Sequence, residues 1–580
     1  MRMDPGPLGF EEPRRLVAIV TAPAASPGSD DRGASRAGTT TPLSVGQERT
    51  LAALEEVFPV RFVQRDLTNL GGVDGLLLLE SSVRAHRPAR LPQLSLPNAT
   101  PLVGSPRQRD AGETSAPAVD VAPVAMADDL ALQRPLRGRL IPERTTPCDP
   151  TQIPPAGRAL ASVSNESVWW QIDAAAEPMG MSAYPLAALS EGEALRDHMR
   201  AGCFMGLLPV VQFLHQVLGS EGWRPPMPRA SFIIDDPNLH RPSYGFLDYR
   251  VLAEHAAHHG YHVAIATVPI DGWLADRRAS AVFAENSSVL SLLVHGNDHV
   301  ARELAHLDSD GAALGAIAQA LRRIVALERR SGLSVDRVMA PPHGACSEEA
   351  LRAMFRLGFE AACISRPYPW LDGKPPPTPL AGWRPAEIVA GGLSVLPRYP
   401  LSSARDDLAL RAMLGQPLIL YGHHGDLADG LDVLAQAAAE INDLDEFEWG
   451  PLRWIARGNY ATRLCGELML VRMFARRIEL EVPVGVREVR VLVQEPVGGA
   501  AGHCLVNRGG HAHLAFHGGL GVSETMPVDA TARLDLTIVA DRPLSPTAVP
   551  APALKPWPWL RRAIVEGRDR LHAMRGAVRS

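Results

Sequence analysis

Residues 231–240 read "SFIIDDPNLH", and this stretch decides the fold. Phe232, Ile233 and Ile234 form a run with no polar face, the pattern of a parallel strand buried on both sides. Asp235 and Asp236 end that run, so they belong at the mouth of a sheet rather than inside it. Two adjacent carboxylates repel one another. Either one carries a raised pKa, or a cation sits among them and their partners.

Working outward, residues 230–450 repeat a strand-then-helix pattern. "SFIIDD", "YHVAIATVP", "VLSLLVHGND", "RVMAPPHG", "EAACIS" and "PLILYGHHG" read as strands, with amphipathic helical stretches between them. Repeated units of this kind make a parallel sheet, and this many predict a distorted parallel (β/α) barrel over residues 230–465. Upstream, residues 1–190 read as a small α/β domain of flavodoxin or amidotransferase-like architecture: strands "RLVAIVT", "VRFVQRD" and "VDGLLLLE" around the helical "VGQERTLAALEEVF". No Gly-Xaa-Cys-Xaa-Gly elbow is present, so no nucleophile is assigned there. A Pro-, Ser-, Thr- and Arg-rich insert (about 84–160) predicts loops and edge strands, and residues 159–173 a hairpin turning at Asn165. A long helix is expected over 193–219, within a bridge spanning 191–229. Residues 470–545 alternate with period two and predict a small β-sandwich. The tail, 546–580, reads as a basic amphipathic helix; docking onto the protein is the plainer reading, and a membrane-surface or partner contact the other.

Composition narrows the class. Across 580 residues, 46% are hydrophobic, 21% are charged and the net charge is −6, which gives no basic field for nucleic acid. No run of about 18 apolar residues predicts a membrane span, and no apolar leader opens the chain, so a soluble, cytoplasmic protein is expected. Six scattered cysteines without a paired spacing suit reduced, buried thiols. The oligomeric state is not readable.

Chemistry gathers at the strand ends. Eleven of the nineteen histidines lie between residues 240 and 424. His295 and His299 in "HGNDH" can converge on one ion if the strand end rolls into a helical turn, and Asp236 would complete two imidazoles and a carboxylate, leaving positions open for water and substrate. His343 closes the next strand, where it either caps the turn or orients substrate. His423 and His424 close the last. Asn238 and His240 follow the Asp pair and could line a substrate cleft. His255, His258, His259 and His262 read as surface or supporting groups on a helix and its turn.

In order, "IIDD", "HGNDH", "PPHG" and "ILYGHH" resemble the motifs of the polysaccharide deacetylase family, the NodB-type domain of carbohydrate esterase family four, over about residues 228–450. The resemblance implies a deacetylase-type barrel that removes an N-acetyl or other acyl group from an amino sugar or polysaccharide-related substrate. It implies a divalent metal, zinc first, on Asp236, His295 and His299, with Asp235 as general base and His423 or His424 as general acid; His423, nearer the strand, is the expected one. Gly296 stands where the family has a hydroxyl residue, Pro237 where Gly is common, and no Arg directly precedes "PPHG". Two other classes are a non-catalytic glycan-binding or assembly protein that keeps the barrel, and a barrel hydrolase acting on another bond.

Overall fold

The computed structural model describes residues 12–21, 42–66, 69–80, 91–97, 122–148, 157–172, 179–300, 302–365, 378–389, 392–402, 405–494, 504–507, 510–517, 520–529, 531–539, 543–553 and 555–577. Two compact units divide the chain. One comprises Met1–Trp223 with Pro375–Trp383, the other Arg224–Lys374 with Arg384–Ser580.

In the first unit, strand Arg15–Thr21 is buried from Val17 onward and pairs in parallel with Val60–Gln64 and Gly75–Glu80. Gln93–Pro97 and Met179–Ser182 extend the parallel half. Glu166–Ile172, Arg158–Val163, Ala122–Met126 and Leu140–Glu143 continue it antiparallel. The hairpin turns at Ser164 and Asn165, both at positive φ (49° and 67°), as a two-residue turn between twisted strands requires. Most of the Pro-rich insert, residues 98–121 above all, lies outside the described residues.

The helix expected over 193–219 forms only at Leu208–Leu218, after a short 3-10 turn at Leu195–His198. Gly202, at φ 87°, breaks the run. The buried Glu143 carboxylate then accepts the N–H groups of Phe204 and Met205 at 2.8 and 2.9 Å, which holds that backbone outside the helix. The returning segment joins this unit through Leu195, whose N–H donates to the Pro379 carbonyl at 2.8 Å.

The second unit carries the strand that opened the reading. Arg229–Asp235 is buried along its whole length, its apolar centre Phe232–Ile234 flanked in parallel by Val263–Thr267 and Leu418–His423. The parallel order runs Leu393–Pro397, Ala361–Ile364, Val335–Met339, Leu290–Val294, Val263–Thr267, Arg229–Asp235, Leu418–His423, Tyr399–Pro400. The sheet is a curled half-barrel rather than a closed one. Glu387–Val389 pairs antiparallel with Leu393–Pro397 and takes the edge that a closing parallel strand would need.

Helices Tyr249–His259, Arg277–Glu285 and Asp310–Ser331 follow successive strands, each started by a side-chain cap from Asp248, Asp276 or Ser309. A nine-stranded β-sheet follows, beginning at Tyr460–Cys465, ten residues earlier than the alternation predicts, and its Arg477–Glu481 and Arg533–Val539 strands bury every second residue. Helix Pro556–Ala577 ends the unit. Among the described residues, no helix is long and apolar enough to cross a membrane.

Candidate active site at the strand ends

Asp235 and Asp236 avoid mutual repulsion by facing different partners. Asp235 stays in the strand, paired with Ala266 and His423, and its buried carboxylate accepts Nη1 of Arg398 on both oxygens, at 3.0 and 2.9 Å. Asp236 leaves the strand at φ 87°, a conformation L-residues rarely adopt, which swings its side chain away from its neighbour's. Its Oδ1 lies 2.9 Å from His299 Nε2, 3.6 Å from His295 Nε2 and 3.7 Å from Arg562 Nη1. Burial alone would raise the Asp236 carboxyl. The His299 hydrogen bond and the charges of His299, His295 and Arg562 outweigh it and hold the group far below the usual carboxylate range.

His295 ends the buried strand Leu290–Val294. Its Nδ1–H donates to the Ala340 carbonyl at 2.7 Å, which fixes the tautomer and turns a bare Nε2 towards Asp236. Full burial pulls this imidazole down to about 4, so it is neutral at pH 7 and able to ligate. His299 arrives by a route different from the expected helical turn. Gly296 and His299 both sit at positive φ (64° and 54°), and the loop wraps the carboxylate of Glu303, which accepts the N–H groups of Asn297, Asp298 and His299 at 2.6, 3.0 and 3.1 Å. A Cβ on Gly296 would lie 2.2 Å from Glu303 Oε1 and 2.6 Å from Pro342, so the residue with a hydroxyl side chain that the resemblance leads one to expect has no room.

Asp236, His295 and His299 each present one ligand atom within 4.8 Å of the others. Asp236 Oδ1 is buried with the His299 ring as its close contact, and His299 Nδ1 is buried without a hydrogen-bond partner, so the trio has the unfilled capacity that a cation takes up.

The remaining strand ends are arranged less as expected. His343, at φ 58°, is exposed, with its ring 6.2 Å from that of His299. His423, expected to face inward, has a side chain 54% exposed, and its N–H is taken by Asp426 at 2.7 Å. His424 is the covered member of the pair (13%), packed between Tyr244 and Phe246 with Nε2 3.3 Å from Asp569. The strand runs through His423 and the chain turns at His424–Leu427, so the covered imidazole belongs to the turn and not to the strand end. His262, read as a surface or supporting group, is wholly buried at the opposite end of its strand, beside Ser231.

Asn238 and His240 meet the C-terminal helix. Asn238 Nδ2 donates to Glu566 at 3.0 Å, and His240 Nδ1 lies 2.8 Å from the same oxygen, with Nε2 2.9 Å from the Asp271 carbonyl. From that helix Arg562 also donates to Asp271 at 2.6 Å and to the Asp236 carbonyl at 3.1 Å, Asp569 accepts Tyr244 Oη–H at 3.0 Å, and Arg561 donates to the His299 carbonyl. Sequence reasoning missed Arg398, Glu303 and Arg562. Only Arg398 left a signal, as a lone cation between the apolar strand "LSVL" and Tyr399-Pro400.

No family model matches the chain, and no curated protein does. Solved structures do. A Mycobacterium smegmatis protein named as a polysaccharide deacetylase aligns at 13% identity and TM-score 0.30 over 41% of this chain and 91% of its own. A family 4 carbohydrate esterase of Streptomyces lividans aligns at 10% and 0.25 over 39% and 93%. The peptidoglycan deacetylase PdaC of Bacillus subtilis aligns at 11% and 0.24 over 40% and 93%. The chain resembles polysaccharide deacetylases. At TM-scores this low, every statement about the site rests on this chain's own residues. Arg398 reaches Asp235 from another strand end and donates to the Pro341 carbonyl at 3.4 Å.

Proposed function

We propose that the chain is a metal-dependent hydrolase that removes an N-acyl group, acetyl first, from an amino sugar or a polysaccharide-related substrate. One observation carries the reading: Asp236, His295 and His299 converge, while Asp235, one peptide away, is held by Arg398 and gives the trio no ligand atom, lying 3.9 Å from His295 Nδ1. Zinc or a similar divalent ion on the trio would polarise the acyl carbonyl and lower the pKa of water towards ~7. Asp235 takes the proton of the attacking water, and Arg398 orients that carboxylate. His424, screened from solvent and beside Asp569, is the stronger candidate to protonate the departing amine; His423 is the other. This reading takes His343 as a substrate contact, and Asn238 and His240, which Glu566 engages here, as two further ones.

A second reading, a non-catalytic glycan-binding protein, draws on the C-terminal helix. Its Arg562 lies 3.7 Å from a candidate ligand oxygen, and its Glu566 occupies both Asn238 and His240. Metal analysis of the purified full chain, with an acetate-release screen over acetylated amino sugars and their oligomers, separates the two. Bound metal with acetate release supports the hydrolase. Metal without release on any substrate, or neither metal nor release, removes the hydrolase and favours the binding protein.

A further inference from the structure

Helix Pro556–Ala577 is built inside out. Its charged side chains Arg562 and Asp569 are buried at 3% and 5% exposure, while Trp557, Leu560, Ile564, Leu571 and Met574 stand 53 to 60% exposed. Steps of three, four, seven and three residues put those five on one stripe, about 26 Å long at 1.5 Å per residue. The polar contacts of the inner face, the Arg562–Asp271 ion pair and the contacts of Asp569 with Tyr244 and His424, fix the rotation of the helix, so the stripe cannot turn inward. Beside it, Trp559 lies 6.4 Å from the exposed Trp273.

Charge says what covers the stripe. The chain carries −6 overall, yet residues 555–580 hold seven basic side chains against two acidic ones; Arg561, Arg562 and Arg570 are engaged on the inner face, which leaves Lys555 and Arg568 at the described outer surface. Arg568 is 66% exposed on its side chain, and Lys555 is exposed at the start of the helix. A second copy of the chain would set this cationic margin against itself, because a two-fold contact joins like to like. A convex apolar stripe with tryptophans at one end and a cationic margin fits a flat, negatively charged surface with an apolar interior. We propose that the outer face of this helix docks the protein on an anionic lipid bilayer, the helix lying in the plane of the headgroups. The inference stands on the helix's surface and does not depend on the reaction catalysed.

Sedimentation of the full chain with vesicles tests it, one set of phosphatidylcholine alone and one with about three parts in ten phosphatidylglycerol. The protein is expected to bind the anionic vesicles at least about tenfold more tightly, with its tryptophan emission shifted to the blue. Ile564→Glu with Leu571→Glu should abolish binding and leave thermal unfolding unchanged, since both side chains face outward. Should that double variant misfold, Lys555→Glu, which lies before the helix and away from its inner face, is expected to weaken binding about fivefold or more. Equal affinity for both vesicle types, no affinity for either, or binding that survives the substitutions overturns the proposal. So does a lipid-free dimer that the double variant turns into monomer, because a second copy would then cover the stripe.

Discussion

Asp235 and Asp236 show how one peptide unit can separate two roles. The first accepts a guanidinium and is free of the histidines' ligand atoms; the second meets both histidines. Asp235→Asn should therefore keep stoichiometric metal and lose turnover by roughly two to four orders of magnitude, while Asp236→Asn should lose the metal; elemental analysis beside acetate release reads both. If Asp235→Asn is the variant that loses metal, the roles are exchanged. Both aspartates and both histidines were legible from the sequence because strand ends announce them. Arg398 was not, since it lies 163 positions from Asp235 and nothing local says that its side chain turns inward. His262 was misread for the same reason: a histidine after a helix looks exposed until a strand carries it under the sheet. Burial holds it down at about 3, against an ordinary value of about 6.5, and its Nε2 has no partner. The unfolded chain takes up that proton as pH falls below about 6.5 and the folded chain does not until about 3. The contribution of neutral His262 is thus complete above pH 6.5 and is lost on acidification, by at most about 1.4 kcal/mol per pH unit. Thermal unfolding from pH 7 to pH 5 should steepen for the parent relative to His262→Gln, and identical pH profiles would contradict this.

Among elements, the loop from His295 to His299 is the one whose shape matters most to the site. Spacing alone predicts a helical turn. Instead three successive N–H groups close around Glu303, and Gly296 has the positive φ and the empty Cβ position that such a wrap demands. Periodicity finds regular elements because they repeat, whereas a loop folded around one carboxylate four residues beyond it has no repeat to read. Gly296→Ala should cost more than about 1 kcal/mol through strain at φ 64° and the clash with Glu303 and Pro342. By shifting His299 it should also weaken zinc binding about 10- to 100-fold. Calorimetric titration with zinc checks this, and an unchanged affinity would mean that the loop does not set the ligand geometry. The shortened Leu208–Leu218 helix teaches a similar lesson, because its apolar period continues across Gly202 while the backbone does not.

For the whole molecule, the sheet-and-helix alternation was legible from strand to strand, and the opening of the barrel was not. The antiparallel edge strand Glu387–Val389 is three residues long, too short to stand out against its surroundings. Two compact units predict two calorimetric transitions in the full chain. Added zinc should raise only the one that contains Asp236, His295 and His299, by about 2.7 kcal/mol at a hundred times the dissociation constant. Chelator should reverse it, and a zinc-insensitive pair of transitions would argue against the metal.

The segment Pro375–Trp383, which the second unit's sequence lends to the first, also sets an order of events during synthesis. When Trp223 leaves the ribosome the first unit still lacks the strand of chain that accepts the Leu195 N–H. About 160 further residues must emerge before Trp383 does, which takes roughly 8 to 30 s at ~5–20 residues per second. Throughout that interval the amino-terminal unit waits unfinished while five strands of the half-barrel emerge, so the two units are incomplete at the same time and their folding overlaps.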